Sequence, residues 1–329
     1  MPSHALILLC RTSAIAEKLM GVYGGLLSDA NFPYRFQIQV NPPDAVIQKL
    51  TASNHCLFFL EVPKDNDPEA VMQISSAIQE YRPKGHQLVL ITDQTVDYLD
   101  LAIRFNVGNV LFTDSLEAST VGALTQRLLS NDFFGFGPFF PNRYERFEQH
   151  TLLTGIINRA GLVERHFASF MESLAAQHRS LFQSQMSELL TNALAYGVLG
   201  ITEEQRDHTE VHLPAIVEIP PGREVRVTIV QDDEKYGISV KDPGGSLTLL
   251  RILQKLRRHT APPGSLPIGI DDLTGRGLFI VSRQTRLVIN ILRGRQTEVI
   301  LLSYFNEQRN RYKSLIINEK YPSPLDMAN

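Results

Sequence analysis

The chain has 329 residues, long enough to bury two hydrophobic cores. Lys and Arg total 32 against 35 for Asp and Glu, a formal charge of -3, so the molecule as a whole has no electrostatic case for nucleic-acid binding. Cys10 and Cys56 are the only cysteines; both fall in apolar runs, which predicts two buried thiols and no disulfide framework or thiolate zinc site.

The opening MPSHALILLCRTS lacks a basic region before its short apolar run. No uninterrupted apolar stretch reaches the roughly 18 residues of a membrane span. A cytoplasmic protein with no membrane or nucleic-acid partner is expected. Residues 5–10 (ALILLC), 57–62 (LFFLEV), 87–91 (QLVLI) and 110–112 (VLF) are apolar runs bounded by polar turns, the pattern of buried parallel strands. Between them PEAVMQISSAIQEY, with Asp67 as a cap and Val71, Ile74 and Ile78 on one face, predicts a crossover helix. The first 130 residues thus predict a five-stranded α/β domain.

A helix over STVGALTQRLL leads into NDFFGFGPFFPN, whose glycines and prolines interrupt regular structure while its five phenylalanines favour a packed connector over residues 131–144. From Tyr144 to about Gln177 a mostly helical segment is expected. HRSLFQSQMSELLTNALAYG then places Leu181, Met186, Leu189, Leu190 and Ala193 on a broad apolar band that needs a sheet. Val225, Val227 and Ile229 alternate with polar residues, as do Tyr236, Ile238 and Val240, which predicts neighbouring strands with one buried face. RLVINIL and TEVILLSYF predict another antiparallel pair around RGRQ. Helices on one side of a mixed sheet make residues 145–315 an α/β sandwich, followed by a tail over 316–329.

Three separated segments carry chemistry. Glu188 and Asn192 lie one helical turn apart and share a face. An Asn carbonyl suits magnesium, which accepts hard oxygen ligands, and the neighbouring carboxylate can deprotonate an attacking hydroxyl. Asp242 ends a strand ahead of Pro243, Gly244 and Gly245; its carboxylate can accept from the amino group of adenine while glycine permits close backbone approach. Gly275, Arg276 and Gly277 form a second glycine turn, which can aim N–H groups and a helix end at phosphate. Taken singly, each also reads as an ordinary helix turn, strand-to-helix turn or helix entry.

Their order along the chain resembles the GHKL ATPase and kinase superfamily, and more closely its anti-sigma-factor serine-kinase branch, across about residues 145–310. ELLTNA at 188–193 looks like the N-box, VKDPGGS at 240–246 the first glycine box and GRGLFIV at 275–281 the second. The resemblance implies a histidine-kinase-like ATPase fold binding ATP and Mg2+. It implies Asn192 as the magnesium ligand, Glu188 as general base, Asp242 and Gly244 at adenine, and Gly275 and Gly277 at phosphate; Arg276 between them is a further phosphate candidate. It also implies phosphoryl transfer to a serine or threonine of a partner, either an anti-sigma-factor antagonist or a sigma factor. The first box departs from D-x-G-x-G at Ser246, whose Cβ restricts close approach and bears on the lid path. Between the boxes Arg251, Lys255 and Arg258 recur at helical spacing, placed to meet phosphate, an acidic protein or solvent.

The first 130 residues resemble a degenerate response-regulator receiver, which implies a flavodoxin-like parallel sheet used for docking, homodimer formation or restraint. Glu61 stands near the end of the third strand in place of a phosphoacceptor aspartate, Thr113 near the fifth where a lysine is needed, and Thr92 resembles the switch hydroxyl. Two alternatives to a serine or threonine kinase stay open. One is a catalytically weak module that uses nucleotide to select a binding conformation. The other is an atypical histidine kinase, although His150, His166 and His178 lack a phosphoacceptor context.

Overall fold

The structure is a computed structural model and describes residues 4–10, 13–29, 32, 34, 36–40, 56–62, 87–93, 98–129, 134–140, 147–202, 213–260, 276–306 and 313–321. It is an α/β protein of two compact units, Met1–Phe133 with Arg311–Ile316, and Phe134–Asn310 with Ile317–Asn329. Among the described residues no helix is long and apolar enough to cross a membrane.

In the first unit β1 (His4–Leu9), β2 (Phe36–Val40), β3 (Cys56–Val62), β4 (Gln87–Thr92) and β5 (Asn109–Phe112) lie in the order β2-β1-β3-β4-β5, all parallel. Every residue of β3 and β5 is buried, as continuous apolar runs require when both faces of a parallel sheet are covered. Three described helices belong to this unit: α1 (Ser13–Ser28), α2 (Tyr98–Phe105) and α3 (Ala118–Leu129). The α1–α3 contact is fixed by a 2.7 Å hydrogen bond between Tyr23 and Thr125 hydroxyls, with the Tyr23 ring edge-on to Phe59. Residues 315–316 pair antiparallel with Val110 and Asn109. The four apolar runs are strands as expected; the fifth strand of the expected five is β2, whose FQIQV has no continuous apolar run and was not located in the sequence. The crossover helix expected over 68–81 lies outside the described residues.

The second unit opens with the aromatic connector. Phe136 and Phe140 pack edge to face across Gly237, where a Cβ would come within 2.5 Å of the Phe136 ring. Gly135 N–H donates to both Glu298 carboxylate oxygens at 3.0 and 2.9 Å, and Ser239 and Asn290 donate to the same group at 2.7 and 2.9 Å. Four donor contacts let a carboxylate only 2 % exposed remain in the interior.

Beyond the connector run β6 (Phe147–Leu153), β7 (Gly155–Asn158), α4 (Leu162–Ser173), α5 (Ala176–Asn192), a π-helical segment (Ala193–Val198), β8 (Ile216–Ile219), β9 (Val225–Gln231) and β10 (Lys235–Asp242). They are followed by α6 (Leu249–Arg258), α7 (Arg276–Gln284), β11 (Arg286–Leu292), β12 (Gln296–Tyr304) and β13 (Leu315–Lys320). Within this unit the strands are ordered β11-β12-β10-β9-β6, with the Ile317–Lys320 part of β13 beside β11, and β9–β10 and β11–β12 are the two expected antiparallel pairs. Phe167, Phe170, Phe182 and Tyr236 join α4, α5 and β10 in one aromatic cluster with ring centroids 5.0 to 6.3 Å apart. Each such pair contributes about 1 kcal/mol beyond simple burial.

Two expectations are corrected here. Residues 144–177 are not mostly helical: β6 and β7 occupy 147–158. FEQHTLL turns Glu148, His150 and Leu152 outward while Phe147, Gln149 and Thr151 point inward, a period of two that only a strand satisfies. The tail does not begin at 316 either. β13 runs to Lys320 because LII is an apolar run with a sheet edge to bury it, and Asn318 donates to Asn290 at 2.9 Å.

Candidate functional site

The site grows from the C-terminal half of α5. Helical spacing brings Glu188 and Asn192 onto one face, where Asn192 Nδ2 donates to Glu188 Oε1 at 2.7 Å. The amide nitrogen, not the oxygen, is thus the group turned to the carboxylate. Past Asn192 the helix widens into the π segment, with Leu199 N–H reaching Leu194 O at 2.9 Å. Such widening displaces side chains from ordinary helical positions and recurs at functional sites. It carries Gly197 against Asp242, so closely that a Cβ at 197 would overlap the Asp242 carboxylate.

Asp242 is the last residue of β10 and is 8 % exposed. Burial pushes its carboxyl up to about 7, against the opposing pull of Gly244 N–H, which donates to Oδ1 at 2.8 Å. The group is therefore poised between acceptor and donor near neutral pH. Gly244 has no room for a side chain: its Cβ would lie 2.8 Å from Asp242 Oδ1 and 2.9 Å from Gly197 Cα. Gly245 has φ +56°, and a Cβ there would meet Gln296 N and Leu292 O at 2.6 Å. Its carbonyl accepts from Gly294 N–H at 2.9 Å, which anchors the turn on the β11–β12 hairpin. Ser246 is exposed, so the two close approaches in this turn fall on Gly244 and Gly245.

The third segment arrives through α7. Gly277, in its first turn, faces Glu188 so closely that a Cβ would overlap the carboxylate. The carboxylate is thereby set at the positive end of a helix, where an anion is favoured. Gly275 and the Arg276 side chain lie outside the described residues. On α6, Lys255 Nζ stands 5.1 Å above the Tyr196 ring, and the Tyr196 carbonyl would be 3.4 Å from a Cβ on Gly244. Glu188, Asn192, Asp242, Gly244 and Gly277 all belong to one unit; Glu188 meets Asn192 and Gly277, and Asp242 meets Gly244 and, on the continuation of α5, Gly197.

Chemically, these residues offer a buried carboxyl pushed up to about 7, an amide beside a second carboxylate, and a helix N-terminus facing that carboxylate. Among the described residues there is no group of three or more His, Cys, Asp or Glu side chains that could hold a metal. Magnesium commonly takes most of its ligands from phosphate and water. Gly197 was missed in the sequence. Its signal was a glycine inside an otherwise helical run, which costs about 1 kcal/mol against alanine and so marks a close approach.

The histidines stand apart from this cluster in character. His150 is on β6, not in a helix, with Nε2 3.0 Å from Glu148 and Nδ1 3.2 Å from Thr228. His166 is exposed on α4, and His178 packs edge to face on Phe305. In the first unit Glu61 and Thr92 are buried near the ends of β3 and β4. Cys10 is partly exposed, unlike the buried Cys56; burial and, secondarily, the Glu61 charge push its thiol up to about 12. Thr113 offers its carbonyl to Lys18 Nζ at 3.0 Å. In comparisons with known proteins, no protein-family model and no curated protein matches the chain.

Proposed function

We propose that the second unit is a GHKL-type nucleotide site that binds ATP with Mg2+ and transfers its terminal phosphoryl group to a serine or threonine of a partner protein. The partner, in an anti-sigma-type bacterial pathway, is an anti-sigma-factor antagonist or a sigma factor. The observation that carries this reading is the meeting of three sequence-distant segments, with Gly197 and Gly244 moulded on Asp242 and Gly277 moulded on Glu188. Ordinary turns would not require glycine at each of those contacts.

In this reading ionised Asp242 accepts from the adenine amino group inside a pocket too tight for any side chain at 197 or 244. Asn192 would hold magnesium through its amide oxygen, and the ion, when bound, would supply charge neutralisation at the phosphate oxygens. Gly277 at the first turn of α7 faces the phosphates, a role the motif extends to Gly275 and Arg276. Glu188 orients the acceptor hydroxyl and takes its proton as the oxygen attacks phosphorus, while the bond to the bridging oxygen of ADP breaks. The first unit, read as a degenerate flavodoxin-like receiver, regulates this site without accepting phosphate itself.

One observation favours a binding-only alternative. Glu188 is already engaged with Asn192 and with the first turn of α7, so a protein that held this arrangement would use nucleotide as a conformational ligand without transfer. Asn192→Ala and Glu188→Gln separate the two. The kinase reading expects Asn192→Ala to lose magnesium-dependent ATP binding, and Glu188→Gln to keep binding while losing partner phosphorylation. Unchanged transfer in Glu188→Gln rejects the base assignment.

A further inference from the structure

Two ladders of the second unit, joined through Thr154, turn an unusual set of side chains to solvent. In β6, paired with β9, Leu153 is buried while Glu148, His150 and Leu152 are exposed; in β7, paired with β8, Ile157 is buried while Ile156 and Asn158 are exposed. On the facing strands Val217, Ile219, Val225 and Val227 are buried, and Ile216, Glu218 and Arg226 are exposed. Positions 152, 154, 156 and 158 are all exposed, so the outward sides of the two ladders belong to one surface. An antiparallel ladder with one buried face ordinarily presents polar side chains on the other. Here that side carries Leu152 at 53 %, Ile216 at 60 % and Ile156 at 75 % exposed. Single exposed aliphatic residues are ordinary, but three on consecutive ladders form an apolar surface that gains from being covered.

The charges on this surface indicate what covers it. Arg226 lies across the ladder from Leu152, and Glu218 lies across from Ile156. Neither forms an ion pair with another described residue. Glu224 is the nearest candidate, but its carboxyl is held down chiefly by the Gly222 N–H, with Arg226 contributing least. A second copy turned about a two-fold axis that crosses the join at Thr154 brings the level of residue 152 onto the level of residue 156. Leu152 then meets Ile156 of the second copy, and Arg226 meets Glu218 of the second copy, each contact made twice by symmetry. The next level sets His150 opposite Asn158, so no like charges are opposed. A surface that carries both signs beside its aliphatic residues fits nucleic acid or a strongly acidic segment less well than it fits itself.

We propose that this surface joins two copies of the chain, antiparallel, with Leu152 packed on Ile156 and Arg226 paired with Glu218 of the second copy. The inference does not rest on the nucleotide reading. It also differs from a dimer made through the first unit, which would leave these residues in solvent.

Sedimentation equilibrium of the full chain tests it, and a reversible monomer–dimer equilibrium is expected. Arg226→Glu and Glu218→Arg, each of which opposes like charges twice, are both expected to weaken self-association about tenfold or more. Mixed in equal amounts the two variants should associate as the parent does, because one chain then carries both acidic positions and the other both basic ones. Leu152→Ser/Ile156→Ser is expected to weaken association without any change of charge. If a single charge variant melts below the parent, Arg226→Glu/Glu218→Arg, which exchanges the charges and keeps the pairing, reads the same rescue. A parent that stays monomeric at its highest soluble concentration, a dimer indifferent to these substitutions, or single variants that fail to complement on mixing overturns the proposal.

Discussion

At the scale of single residues, Asp242 makes the sharpest pH prediction. Its folded value is raised from 3.8 to about 7, so the native chain holds a proton that the unfolded chain has released. Its contribution to stability is complete below about pH 4 and lost as pH rises through about 7. Asp242→Asn removes that loss, so its melting temperature should gain on the parent's as pH rises across this window; a constant difference would contradict the buried carboxyl. ATP affinity of the parent should rise over the same range as Asp242 ionises into an acceptor, and the Asn variant should show no such rise. The glycines divide by what opposes them. A methyl at Gly245 meets backbone at positive φ, so Gly245→Ala should cost about 3 kcal/mol in urea unfolding. A methyl at Gly277 first meets the end of the Glu188 side chain, so Gly277→Ala should cost less stability than Gly245→Ala but more phosphoryl transfer. The reverse order would remove Glu188 from the α7 contact.

At the scale of elements, Glu298 joins the connector to β10, β11 and β12. Glu298→Ala would leave Gly135 N–H, Ser239 and Asn290 without their shared acceptor, at a cost of about 3 kcal/mol. Limited chymotrypsin digestion should then cut among Phe134, Phe136, Phe139 and Phe140 faster than in the parent; an unchanged rate would mean that the phenylalanines alone hold the segment. The parallel strands were legible because burial on both faces demands unbroken apolar runs such as LFFLEV. β6 was not, because FEQHTLL is half polar and its alternation is short; its assignment depends on pairing with β9, which is distant in sequence. The Glu188–Asn192 pair was legible from helical spacing. Gly197 and the anchoring of Gly245 were not, since each is defined by a neighbour from another segment.

At the scale of the whole molecule, sequence composition set the size of the chain, its mild negative charge and the absence of a disulfide scaffold. It did not reveal the β13 segment that follows the three motif segments, because a short apolar run becomes a strand only where a sheet edge receives it. The second unit gathers Glu188, Asn192, Asp242, Gly244 and Gly277, the residues proposed to serve ATP and magnesium, and the first is a parallel α/β unit with buried Glu61 and Thr92. Calorimetric titration of the full chain with ATP, with and without magnesium, tests the nucleotide site most directly. One ATP per chain is expected, tightened by magnesium in the parent, insensitive to magnesium in Asn192→Ala and weakened by about tenfold or more in Asp242→Asn, the loss expected when a charged carboxylate acceptor for the base becomes a neutral amide with one oxygen replaced by a donor. Folded parent protein that takes up no adenine nucleotide, or an Asp242→Asn protein that binds it as tightly as the parent, would contradict the assignment.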